Sequence, residues 1–295
     1  MPGDGQSGLD RLVGFAGHVL APTGVLTAVL YYFGYLHEKQ FFEYFGVDLG
    51  SIGFSTTDYL LRGAGSLFSP LATVVVAGSL AVIAHHLLAF LLDQLSATWR
   101  RTVWVSLAVL ALVLLVAGVV GLRHRGQVVP TPLLGDALVA ATALGGGALL
   151  LEYVTESART HEAVPERWAA ILTSTRNVRR ALSVGLALIA AFWATATIAH
   201  RHGIESARAV EVTLPIRSQA IVYSRDRLQI AGPGVVRTEV GGRDSAFRYR
   251  YNGLRTLVHT RDHWFLLPAG WTRHNGASVV MLPDAQRDIR VDLAP

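Results

Sequence analysis

Long apolar runs separated by short polar segments fill the first 200 residues, and the pattern then changes to short runs of β-branched and aromatic residues. Five runs, at about 12–34, 69–95, 103–122, 133–152 and 181–199, reach the roughly 20 mainly apolar residues that a helix needs to cross a bilayer. The first run is longer than the core of a secretory signal. It ends in Tyr31, Tyr32, Phe33 and Tyr35 rather than in small residues, so it reads as a retained anchor. The expected fold is therefore an α-helical membrane bundle of about five spans over residues 1–200, followed by a small all-β domain over 201–295.

In that tail the expected strands are Val210 to Leu214, Ala220 to Tyr223, Val235 to Val240, Phe247 to Tyr251, Leu254 to His259, Trp264 to Leu267, Ser278 to Leu282 and Ile289 to Leu293. Asn252-Gly253 carries the strongest short hairpin signal. Gly232-Pro233-Gly234, Gly241-Gly242 and Pro268-Ala269-Gly270 supply further turns. The spacing predicts a small antiparallel sandwich or barrel. Its aromatic residues, Trp264, Phe265 and Trp271 among them, are assigned to its core. Arg248, Arg250 and Arg255 would form a basic stripe on one strand face.

Composition agrees with a membrane chain: 51% of residues are hydrophobic, 16% are charged and mean hydropathy is +0.38, where a soluble domain carries about a quarter charged residues. Cysteine is absent, which excludes disulfides, thiolate metal sites and a cysteine nucleophile. Lys39 is the only lysine, and it does not stand in a phosphate-binding glycine loop. The net charge of +5 is assigned to loops and lipid headgroups, and no nucleic-acid motif is present.

Basic residues near span ends set orientation. With the N-terminus in the cytoplasm, inner segments hold eight (Arg11, Arg100, Arg101, Arg159, Arg167, Arg176, Arg179, Arg180) and outer loops four (Lys39, Arg62, Arg123, Arg125). The tail is thus expected on the extracytoplasmic face of a plasma membrane. In the outer loop, 36–69, aromatic residues precede Phe45-Gly46-Val47-Asp48, and Ser55-Thr56-Thr57-Asp58 has the capping-box pattern that starts a helix near Thr56. Phe45, Gly46, Asp48, Ser55, Asp58 and Arg62 mark this loop as an interfacial element, with a short helix along the membrane surface before Pro70 opens the second span. The cytoplasmic loop 152–180 would set Arg176, Arg179 and Arg180 against anionic lipids.

Ionisable groups inside a membrane are costly and invite a functional reading. His18 in the first span and His85-His86 in the second lie at a common expected depth, where imidazoles could ligate haem iron or a metal. A histidine that hydrogen-bonds a backbone carbonyl or reaches the interface is the plainer role. Asp136 and Glu152 bracket the fourth span and could edge an ion path, or sit hydrated at headgroup level. Ser224, His259, Asp262 and His263 are residue types of a hydrolase, but no nucleophile-elbow pattern orders them. Small residues four apart, such as Ala141 with Gly145 and Ala143 with Gly147, predict close helix packing in lipid.

Tyr31-Tyr32-Phe33-Gly34-Tyr35, Tyr44-Phe45-Gly46-Val47 and Asp58-Tyr59-Leu60, with Tyr249-Arg250-Tyr251 and Phe265-Leu266-Leu267-Pro268 in the tail, resemble uncharacterised multi-pass membrane proteins of actinobacteria. The resemblance implies a plasma-membrane location and carries over no activity. The leading expectation is a non-enzymatic envelope protein, needing no cofactor, that presents its β domain for binding, sensing or assembly with an envelope protein or a second copy. An oligomeric channel or transporter is the first alternative. A haem or metal protein through His18 and His85 or His86 is the second.

Overall fold

The computed structural model describes residues 24, 27–94, 96–123, 136–160, 174–242, 245–284 and 286–295. Helix α1 runs over 27–44. It is followed by α2 (Leu49–Ile52), α3 (Thr56–Asp93), α4 (Ala97–Arg123), α5 (Ala137–Thr160) and α6 (Arg176–Thr213). A 3-10 turn, Leu214–Ile216, leads into strands β1 (Gln219–Ser224), β2 (Val236–Glu239), β3 (Tyr249–His259), β4 (His263–Pro268), β5 (Val280–Pro283) and β6 (Ile289–Ala294). The chain forms two compact units, residues 1–66 with 199–295, and residues 67–198.

Four helices among the described residues are long and apolar enough to cross a membrane, over Val75–Leu92, Thr98–Arg123, Ala137–Ser157 and Arg176–Ile216. The count is four against the five expected. Most of the expected first span, including His18, lies outside the described residues.

In the unit of residues 67–198, α4 and α5 meet through small residues. A Cβ on Gly118 would come within 2.7 Å of Leu144, and one on Gly147 within 2.8 Å of the Leu115 backbone nitrogen. Gly145 faces α6 instead, 3.0 Å from the Ala190 methyl, while Gly146 faces open space. The triglycine of α5 is therefore a two-sided packing surface, consistent with how helices approach in lipid. Around it Ala111, Ala140, Ala141, Ala148 and Ala190 are buried, and Val75, Leu80, Ile83, Leu112 and Ile189 point outward.

The other unit is built around the sheet. All strand pairs are antiparallel in the order β5-β4-β3-β1-β6, and β2 also pairs with β3. One face buries Ala220, Val222, Tyr251, Leu254, Leu266 and Leu282. The opposite face, through Phe265 and Leu267, packs on Phe42, Phe45, Ile52 and Tyr59 and on Ala207, Val210 and Leu214 of the α6 end. Residues 41–59 are thus core of the sheet unit. Helix α1 reaches α3 by reciprocal close approach, since a Cβ on Gly34 would lie 2.1 Å from the Tyr59 carbonyl and one on Gly63 2.3 Å from that of Leu30.

Three local expectations are corrected. Val210 to Leu214 is not a strand: α6 continues to Thr213, and Ala207, Val210 and Leu214 lie on its buried side at helical spacing. Asn252-Gly253 is not a hairpin turn. It sits inside the 11-residue β3, where the neighbour on one side changes from β2, ending at Val236↔Asn252, to β4, beginning at Leu254↔Pro268. Gly253 takes a left-handed conformation (φ +79°), the register with β1 slips there, and a Cβ would lie 1.8 Å from the Gly234 carbonyl. Finally, α3 does not restart at Pro70; the helix that begins at Thr56 continues to Asp93. Its start is as expected: Asp58 Oδ2 accepts the Ser55 amide at 2.8 Å and the Asp58 amide donates to Ser55 Oγ at 3.3 Å.

Candidate functional site

The sheet unit contains a groove of about 540 Å³ between the 43–51 segment and the chain from Phe265 to Met281. Its apolar wall is made by Phe45, Phe265 and Trp271, with the rings of Phe45 and Trp271 4.8 Å apart. Phe45 and Trp271 are brought together by the packing of 41–59 on the sheet. The Trp271 indole N–H donates to the Ala277 carbonyl at 2.7 Å, and Asn275 bridges the Gly270 carbonyl (2.8 Å) and the Ala277 amide (3.1 Å). These bonds hold the 270–277 turn from within.

Two residues lining the groove, Tyr44 and Arg273, belong to a polar clamp on Glu211. The Tyr44 hydroxyl donates to Glu211 Oε2, the Arg273 amide donates to Glu211 Oε1 at 3.0 Å, and the Arg273 guanidinium lies 4.7 Å over the Tyr44 ring. Burial, followed by the carboxylate of Glu211, raises the Tyr44 phenol above its ordinary value. The rim carries Glu43, Asp48, Ser51, Thr272 and Ser278. Asp48 precedes α2, and its side chain makes no capping hydrogen bond. The groove combines an aromatic wall with exposed polar groups, a binding surface in its chemistry. Among the described residues lining it, no nucleophile is paired with a base.

The loop residues singled out in the sequence divide between two roles. Phe45, Gly46 and Asp48 line this groove. Ser55 and Asp58 form the helix cap, where the Ser55 hydroxyl and amide hold the Asp58 carboxyl below its ordinary value. Arg62 donates to the buried Glu38 at 3.3 Å and stacks over Phe54 at 4.4 Å. A buried carboxylate needs such a partner.

Within the unit of residues 67–198, His85 Nδ1 is 2.7 Å from the Tyr153 hydroxyl, and His86 lies beside it with ring centres 5.3 Å apart. His85 and Tyr153 border an open, otherwise apolar groove of about 660 Å³. Among the described residues no three histidine or carboxylate side chains converge as a metal site would require. Asp136 Oδ1 accepts the Leu138 amide at 2.8 Å, capping α5. Glu152 pairs with Arg179 at 2.5 Å, and Glu156 with Arg176 at 2.7 Å, while Arg180 lies 3.6 and 3.7 Å from the two carboxylates. This cluster places carboxylates against guanidiniums that would otherwise crowd the positive end of α6.

The hydrolase residue types are not assembled. Ser224 is buried and donates to the Asp226 carbonyl at 2.7 Å. It pairs with Tyr249 at one end of β3, while His259 ends the strand, stacked on Trp264 at 3.7 Å with Nε2 3.2 Å from Asp284. The Tyr44, Glu211 and Arg273 clamp was not foreseen. The helical spacing of Ala207, Val210 and Leu214 is the one sequence signal that places Glu211 on a helix.

Comparison of the chain with protein-family models, with curated proteins and with solved structures finds no match.

Proposed function

We propose that the protein is a non-enzymatic, multi-pass membrane protein whose sheet unit is a binding head, presented outside the cytoplasm for sensing or envelope assembly. The groove between residues 43–51 and 265–281 carries this reading, because its wall is aromatic while its rim is polar and open. In this account 12–34 is a fifth span, the N-terminus is cytoplasmic, and the membrane is the plasma membrane of an actinobacterium, in line with the basic-residue count and the resemblance drawn from the sequence. The partner is an envelope protein or a second copy of the chain. The arginines around 176–180 meet anionic lipids with the charge that Glu152 and Glu156 leave over.

The channel and haem readings draw less support. Asp136 caps a helix, Glu152 is neutralised by arginines, and His85 already has Tyr153 as partner. A photoreactive amino acid at Ser278 tests the binding head in growing cells. A discrete adduct that is absent when the same group replaces Val236 is the expected outcome; identical background at both positions would contradict it. A reporter fused at Pro295 tests orientation separately, and activity on the cytoplasmic side would reverse the head's location.

A further inference from the structure

Residues 199–295 contain 14 arginines against 9 carboxylates, whereas the rest of the chain has 12 basic and 12 acidic residues. The whole net charge of +5 therefore resides in this segment. The sheet arranges part of that excess in rows. In β1 the side chains of Ala220, Val222 and Ser224 are buried, so Gln219, Ile221 and Tyr223 mark the other face. On that face Tyr223 stands between Arg250 of β3 and Arg290 of β6, and Gln219 pairs with Arg255. Strand alternation continues the face to Arg248, whose amide donates to the Ser224 carbonyl at 2.9 Å.

Arg250 and Arg255 of β3, and Arg248 immediately before it, have no anionic partner among the described residues. Arg250 lies 5.8 Å over the Tyr223 ring and Arg248 5.4 Å over the Tyr249 ring. The Nε atoms of Arg248, Arg250 and Arg255 are all buried with no hydrogen-bond partner among the described residues, and no described carboxylate lies within ion-pair distance of them. On the same face Asp292 is taken by Arg290 at 2.8 Å. A buried donor left unsatisfied costs more than a made hydrogen bond contributes. Arg250 and Arg255 on β3, with Arg248 just before it, thus form a row of guanidiniums stiffened by ring stacking and by the bond from Arg255 to the Pro215 carbonyl (3.0 Å).

We propose that this face of β1, β3 and β6 is a platform for a multivalent phosphate-type anion, independent of the aromatic groove. A guanidinium offers its two Nη–H groups as a planar fork that fits two oxygens of one phosphoryl group. Arg248 and Arg250 are two residues apart where the chain enters β3, roughly 6.6 Å if extended, so neighbouring forks can serve linked phosphoryl groups. The phosphoryl groups come from a soluble oligophosphate or from phospholipid heads.

The test uses the full chain in nanodiscs and tripolyphosphate as the probe, at low ionic strength. In phosphatidylcholine discs, saturable binding is expected, weakened about tenfold by Arg250→Gln or Arg248→Gln and unchanged by Arg287→Gln. In discs containing phosphatidylglycerol, an unchanged affinity assigns the platform to soluble phosphates. A lowered affinity in those discs, relieved when salt screens the headgroups, assigns it to lipid; either result keeps the platform. Absence of saturable binding, or equal losses in Arg250→Gln and Arg287→Gln, would overturn the proposal.

Discussion

The two units bury opposite kinds of residue. In the sheet unit the interior is made of large rings, Phe42, Phe45, Tyr251, Phe265 and Trp271. In the unit of residues 67–198 the interior holds mostly alanines and glycines, and the large aliphatic side chains face outward. Water drives the first arrangement, because burying a large ring removes much apolar area from solvent. Lipid exerts no such drive, so helices there gain by close backbone approach and their bulky residues are left to the hydrocarbon. Hydrophobicity thus marks the core in one unit and the outer surface in the other.

That contrast is sharpest in truncations. Phe265→Ala is expected to cost the sheet unit about 3–5 kcal/mol, read by hydrogen exchange of β3 and β4 in micelles. Leu80→Ala, on an outward face, is expected to cost less than about 0.5 kcal/mol. Similar losses at the two sites would break the comparison. The span unit has its own inverse test, since Gly147→Leu would force α4 from α5 at about 1–3 kcal/mol whereas Gly146→Leu meets open space. Thermal unfolding of the two variants should therefore differ, and matching curves would remove glycine packing as the cause.

Smaller effects probe the polar groups of the sheet unit. Tyr44→Phe removes the bond to Glu211 and is expected to cost about 1 kcal/mol, reduced because the pair is partly open to water. The raised phenol pKa makes its contribution complete below about pH 10 and lost as pH climbs through the folded value. The parent should lose stability at alkaline pH in a way the variant does not, and parallel curves would dismiss the coupling. Ser55→Ala should cost about 0.5–1 kcal/mol by uncapping α3. Asp58 has a lowered folded pKa, so its contribution is complete above the ordinary carboxylate value of about 3.9 and disappears as pH falls through the lower folded one. Comparing Asp58→Asn with the parent between neutral and acid pH should show their difference closing only at the acid end.

Features set by local pattern were legible in the chain: the apolar helices from residue 69 onward, the helix start at Ser55 and six of the strand positions. Those set by distant partners were not. The aromatic residues at 41–45 read as a membrane belt because their partners, Phe265 and Trp271, lie more than two hundred residues further on. Val210 to Leu214 fits strand alternation and helical spacing alike, and its packing on the aromatic loop decides for the helix. Asn252-Gly253 has turn chemistry, but the glycine serves a register slip and a close approach to Gly234. The groove consequently had Phe45, Gly46 and Asp48 named in advance and none of its geometry.

The most direct test of the binding head exploits the absence of cysteine, which gives single-cysteine variants no background. N-ethylmaleimide labelling of Ser278→Cys at the groove rim would be timed in native membranes and in purified protein, with Val236→Cys as the exposed reference. The account predicts that Ser278→Cys is protected in native membranes and reacts at the reference rate once purified. Equal labelling of both positions in both preparations would contradict an occupied groove and the binding role built on it.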